Sequence, residues 1–146
     1  MKSNPNLFLG WLWILLGFMT GMVLGLFFHR ENWLGGYSSF KRRMYRLAHI
    51  SFFGLGAVNL LFWLTMQIIP PVAPLAEGAS WAFIIGAITM PICCVVMAHS
   101  PKAHFLFAVP VLCLITGGAL MLILVYNGEN HFPPAFNAQP STLNQP

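Results

Sequence analysis

The chain has 146 residues, of which 58% are hydrophobic and only 7% charged, with a net charge of +4. Soluble domains carry about a quarter charged residues, so this composition excludes a water-covered globular surface, and the length suits a single domain. A basic balance in so apolar a chain points to loops facing anionic lipid headgroups rather than to nucleic acid.

Four apolar runs have the length a bilayer requires: Leu7–Phe28, Leu47–Ile69, Trp81–Ala98 and Phe105–Tyr126. About 20 residues at 1.5 Å rise cross a hydrocarbon core of roughly 30 Å. None of the runs contains Asp, Glu, Lys or Arg. Backbone polar groups in lipid must be satisfied within the segment, which selects helix, and the segments lack the alternating pattern of a transmembrane barrel. The fold expected is an all-α integral membrane protein, four transmembrane helices in an antiparallel bundle over residues 1–126, followed by a polar tail over 127–146. That tail, rich in Pro, Asn and Gln, has the composition of a disordered segment.

Residues 1–6 are short and polar, and the expectation is that they fray. The first run is longer than a signal-peptide core and carries its positive charge after the apolar stretch, so it reads as an uncleaved span. It contains Gly17, Gly21 and Gly25 at four-residue spacing, with Gly10 one heptad before Gly17. Glycines four apart share a helical face and let another backbone come close. The plainer reading is packing inside the bundle; the sharper one is a face for self-association or for another membrane subunit. Gly10, nearer the membrane edge, is expected to matter less than Gly21.

The connection His29–Arg46 holds Arg30, Lys41, Arg42, Arg43 and Arg46, five of the seven Lys and Arg residues. Lys102, between runs three and four, falls on the same side, and only Lys2 on the other. Such a bias marks the cytoplasmic side, which puts both termini outside. The five cations read as a membrane-surface basic set, with Trp33, Tyr37 and Tyr45 as interfacial anchors. Gly35-Gly36 breaks any helix, and Ser38 or Ser39 is suited to cap the next one, which then runs through FKRRMYR into the second span.

The second span is the most polar. His49, Gly56 and Trp63 recur every seven residues and share a face, and Asn59, deep in the span, needs a partner across a helix interface. Pro70-Pro71 ends the helix, and PPVAPLAEGAS reads as an external loop. Runs three and four are separated only by His99–His104, so they are antiparallel neighbours. Ser100 before Pro101 reads as an N-cap followed by proline at the first helical position. Pro91 and Pro110 each remove a backbone donor and should bend their helices.

Phosphate-binding, dinucleotide, zinc-protease and serine-hydrolase motifs are absent, as are the intramembrane carboxylates that carry protons or cations in transporters. Two constellations remain. Met90, Cys93 and Met97 lie at spacings of three and four on one face of the third span, a sulfur set suited to a soft ion but equally to core packing. His29, His49, His99 and His104 each stand at a helix end on the cytoplasmic side, which makes them candidate ligands for haem b or a transition metal, His49 foremost. Interface histidines also occur with no such role. The function expected is an accessory or scaffold subunit of a membrane complex, not an enzyme, in a plasma or bacterial inner membrane. A b-type haem or metal redox protein is the first alternative and a small transporter the second.

Overall fold

The computed structural model describes residues 4–69 and 72–129, and in these it is all-helical. Helix α1 covers Pro5–Phe28, α2 Phe40–Ile68, α3 Ala73–His99 and α4 Ala108–Glu129. All four are long and apolar enough to cross a membrane. Each packs on its neighbour in chain order, while α1 barely touches α3. Consequently α2 and α3 form the centre, with α1 and α4 as flanking helices. The tail expected over 127–146 starts later than that, because residues 127–129 are the last of α4; those from 130 on lie outside the described set.

The connection from α1 to α2 is set by three consecutive left-handed residues, Leu34 (φ 55), Gly35 (φ 86) and Gly36 (φ 93). Glycine occupies two of the three at no steric cost; Leu34 is a branched side chain in a region that disfavours one. Ser39 is the N-cap of α2: its hydroxyl accepts from the Arg42 N–H at 3.2 Å and donates to the Leu34 carbonyl at 2.7 Å. One hydroxyl therefore ties the strained turn to the helix that follows it.

The third span starts earlier than its apolar run does. Of the stretch expected as an external loop, Pro70-Pro71 lies outside the described residues and residues 73–80 are helix, with proline in the first turn where its missing N–H has no intrahelical role. Between Ser100 and α4 the chain winds as a 3-10 segment, Pro101–Phe107, and Ser100 caps it without a side-chain bond. Antiparallel α3 and α4 then pack closely: a Cβ on Gly86 would come within 2.9 Å of Leu114, and one on Gly117 within 2.9 Å of Phe83.

A core of Phe62, Ala79, Phe83 and Leu124 joins α2, α3 and α4 toward the end of the molecule opposite the basic connection. At the same end Asn6 is buried rather than frayed. Its amide donates to Asn59 Oδ1 at 2.9 Å, and the Ser80 hydroxyl donates to Asn6 Oδ1. Asn59 completes its own set by donating to the Leu55 carbonyl at 2.9 Å. Three helices are tied by one polar cluster, its two asparagines fully buried and Ser80 half-buried, with the first turn of α1 held by Asn6.

Candidate functional site

The α1–α2 seam builds the site. A Cβ placed on Gly56 would lie 3.0 Å from the Gly10 carbonyl oxygen, and one on Gly10 3.1 Å from that of Gly56. This is a backbone-to-backbone approach, one turn from the Asn6–Asn59 bond. Farther along α1, Gly17 faces the Phe53 ring at 2.9 Å and Gly21 faces His49 Cε1 at 2.7 Å, whereas Gly25 meets nothing within 4 Å. The expected order of importance is therefore reversed for Gly10. Flexible side chains oppose all three, Leu60 at 2.7 Å in the case of a Cβ on Gly10, but only Gly10 also faces rigid backbone.

With no Cβ on Gly21, the His49 imidazole lies against α1. Its Nδ1 is 3.1 Å from Thr20 Oγ1, and its ring stands edge-on to Phe53 at 5.4 Å between centroids. Thr20 Oγ1 also lies within hydrogen-bond distance of the carbonyls of Leu16 (2.8 Å) and Gly17 (3.1 Å), so its single proton serves one of three neighbours and the Thr20–His49 contact fits either tautomer of the ring. No residue among those described hydrogen-bonds to Nε2.

Next to this pair runs a groove of about 720 Å³ between α1, α2 and α3. His49, Thr20 and Tyr45 are its polar members; Trp13, Phe52 and Pro91 represent the rest of its lining, which is apolar or aromatic. Lining residues on both lips, Met19 and Met22 of α1 and Ile92 and Val95 of α3, are exposed, so the groove opens sideways.

Comparison with protein-family models, curated proteins and solved structures finds no match for this chain.

The other histidines keep separate surroundings. His99 Nδ1 lies 3.1 Å from the Val95 carbonyl oxygen and its ring is edge-on to Tyr45 at 6.1 Å, while His29 and His104 are exposed. No group of three or more His, Cys, Asp or Glu side chains among the described residues is placed to hold a metal. In the sulfur set Cys93 is buried, and its thiol donates to the Leu106 carbonyl at 3.4 Å. A soft metal at Met90, Cys93 and Met97 would compete with that bond.

Pro91 lies inside α3 as expected, but Pro110 stands in the first turn of α4 rather than in its interior, where a missing N–H breaks no bond of that helix. Pro91 cannot donate to the Ala87 carbonyl, and the Trp13 indole N–H of α1 does so instead at 3.0 Å. Pro110 cannot donate to the Leu106 carbonyl, which is the carbonyl that receives the Cys93 thiol. Nothing in the sequence pairs these residues, which are 74 and 13 positions apart.

Arg42 departs from the membrane-surface reading. It is only 1% exposed, its guanidinium donates to the Phe28 carbonyl at 2.9 Å, and it stacks on Phe28 (4.9 Å), Tyr37 (4.9 Å) and Trp33 (5.8 Å). Phe28 is the last residue of α1, so Arg42 caps an orphan carbonyl at the negative end of that helix. Arg30, Arg43 and Arg46 also lie over aromatic rings, of Phe27, Phe40 and Tyr37. Of these, Arg30 and Arg43 remain exposed, while Lys41 and Arg46 are half-buried.

Proposed function

We propose that this is a four-span integral membrane protein of a plasma or bacterial inner membrane, an accessory subunit that holds an apolar ligand in the groove at His49. Both termini are extracytoplasmic in this reading, and the exposed cations of the α1–α2 connection meet anionic headgroups. The observation that carries the holding role is the groove: a sideways-opening apolar space of about 720 Å³ with one oriented polar pair. Polar groups elsewhere in the spans are committed to structure, as Asn6, Asn59, Ser80, Trp13 and Cys93 each hydrogen-bond across helices. That supports holding over chemistry.

The test is extraction. Protein purified in mild detergent should carry a near-stoichiometric apolar molecule, and Ala48→Phe, which puts a large ring into the groove from a buried lining position, should lose it. Equal ligand content in both proteins, or none in either, sinks the proposal.

A second reading, haem b or a transition metal on His49, is favoured by the same ring. A metal-ligating imidazole typically donates its other N–H to a neighbour that fixes its orientation, and Thr20 stands where that neighbour belongs. A Soret band in purified protein, lost in His49→Ala, is the outcome this reading requires.

A further inference from the structure

We propose that the occupant of the groove is an anionic phospholipid of the leaflet at the basic end, with one acyl chain in the groove and the phosphate held at its mouth by Lys41 and Tyr45. The inference rests on the groove reading above and names its ligand: the acyl chain is the apolar part that the groove holds.

The groove has a closed end and an open one. At the closed end the Trp13 indole of α1 donates to the Ala87 carbonyl of α3 at 3.0 Å and stands edge-on to Phe52 of α2 at 5.7 Å between centroids. Apart from this tie α1 barely touches α3, so toward the basic connection the two helices part and leave a slot. The lining on α2 and α3 is confined to residues 45–52 and 88–96, the halves of those helices nearer the basic connection. On α1 it runs from Trp13 to Leu24, about 16 Å at 1.5 Å per residue, which matches one leaflet of a hydrocarbon core roughly 30 Å thick. A slot one leaflet deep, closed at mid-membrane and open to the side, suits an acyl chain and is too short for a membrane-crossing helix. The open side between α1 and α3 lets the second chain of the same lipid stay in the bilayer.

The mouth supplies the charge. Lys41, Tyr45, Ala48 and Phe52 follow one another at spacings of four, three and four, so they share a face of α2 and Lys41 stands one turn beyond the groove lining. The other four cations of the connection are engaged, for Arg30, Arg42, Arg43 and Arg46 each lie over an aromatic ring. The Lys41 ammonium lies over none, and it has no ion-pair or hydrogen-bond partner among the described residues. Nor has the Tyr45 hydroxyl, whose ring is braced edge-on by His99 of α3 at 6.1 Å. Both side chains have an apolar stem and a polar tip, the form that reaches from hydrocarbon to the headgroup level. No Asp or Glu lines the groove to oppose a phosphate, and Glu31, the one carboxylate of the connection, is exposed. Free donors above and hydrocarbon walls below select an anionic amphiphile: a sterol leaves the ammonium unpaired, and a free phosphate leaves the slot unfilled.

The test is lipid retention by the full-length protein in mild detergent, read by native mass spectrometry. The probe is an equimolar mixture of dioleoyl phosphatidylglycerol and dioleoyl phosphatidylcholine, which carry the same chains. One phosphatidylglycerol should be held about fivefold more tightly than phosphatidylcholine, the preference that one lysine near a membrane surface gives. Lys41→Gln should bring the two lipids close to equality, while Arg43→Gln, at an exposed position off the groove face, should leave the preference intact. Ile92→Trp fills the slot from an exposed lining position and should release both lipids; it carries the test if Ala48→Phe, which fills the slot from a buried one, does not fold. Equal retention of the two lipids by the wild type, with both lost in Ile92→Trp, overturns the anionic class and leaves the groove reading standing. A preference that survives Ile92→Trp, or that Arg43→Gln removes as readily as Lys41→Gln, belongs to the basic surface and overturns the assignment. Displacement of phosphatidylglycerol by an equal concentration of oleate gives the slot to a fatty acid and overturns it too. If no lipid is retained by the wild type, the groove reading has failed first; a wild-type dimer that Ile92→Trp splits would then put a second copy of the chain on this face.

Discussion

Two prolines raise related difficulties at the scale of single residues. Pro91, inside α3, leaves the Ala87 carbonyl without its intrahelical donor, and an unsatisfied buried acceptor costs about 1–3 kcal/mol; Pro110, in the first turn of α4, withholds an N–H from the Leu106 carbonyl just before that helix begins. Trp13 answers for Pro91 with an indole N–H, and Cys93 answers for Pro110 with a weaker thiol. Trp13→Phe keeps the ring but removes the donor, so it should destabilise the protein by about 1–3 kcal/mol, measured by denaturant unfolding in detergent. In a Pro91→Ala background the helix supplies its own N–H, and the same change should cost markedly less. Equal costs in the two backgrounds would mean the indole bond contributes nothing. Arg42 belongs to this scale as well, a buried guanidinium whose flat faces are covered by aromatic rings and whose Nε has no hydrogen-bond partner among the described residues. Arg42→Lys retains the charge but loses the planar stack, and should loosen the α1–α2 connection by about 1–2 kcal/mol. Close by, Leu34→Gly relieves a left-handed leucine; it should raise stability by up to about 1 kcal/mol, and a lower melting temperature would refute strain at that turn.

Among elements, the seam between α1 and α2 decides most. Four glycines on one helix announce a close-packed face from spacing alone, but spacing ranks none of them. The ranking depends on what stands opposite: the Leu60 side chain and the Gly56 backbone at Gly10, rings alone at Gly17 and Gly21, open space at Gly25. Gly10→Leu should therefore cost about 1–3 kcal/mol or more, since it separates the backbones and pulls Asn6 away from Asn59. Gly25→Leu should leave thermal stability unchanged. A reversed order in a melting experiment would show that the two helices are not held together at Gly10 and Gly56. The early start of α3 is also an element-scale lesson. Ala73–Ser80 is too polar to read as membrane span, yet Pro74 and the alanines around it suit a helix start, so apolarity and helicity end at different residues.

For the whole molecule, the sequence displays the four apolar helices, a cap at Ser38 or Ser39 and the α3–α4 hairpin, because length, turn chemistry and short connections are local properties. It does not display the polar ties. Asn6 with Asn59, Trp13 with Ala87 and Thr20 with His49 join positions 29 to 74 residues apart, and such pairs become visible only once helices are laid side by side. His49 stood out as one of four histidines at a common level; the partner that orients it, a threonine in an apolar run, carries no motif. The contact between Tyr45 and His99 does join the basic connection to the α3–α4 turn at one end of the molecule, which bears on how the chain would lie in a bilayer.

That end gathers Arg30, Lys41, Arg42, Arg43, Arg46 and Lys102, six of the seven Lys and Arg residues of the chain. Cations close to span ends are retained on the cytoplasmic side during insertion, so the Tyr45–His99 end should face the cytoplasm. A reporter inserted at Gly35 should then be active only in the cytoplasm, and one fused after Gln145 only outside. Arg42 refines the test. Its charge is caged against aromatic rings in the folded protein, yet insertion reads the chain before that cage forms. Replacing Arg30, Arg43, Arg46 and Lys102 together by Gln should produce mixed orientation, while Arg42→Gln alone should lower stability and leave orientation intact. If Arg42→Gln inverts the reporters on its own, its role is topological and the cage is secondary; if the fourfold variant still inserts in one orientation, charge is not what orients this protein.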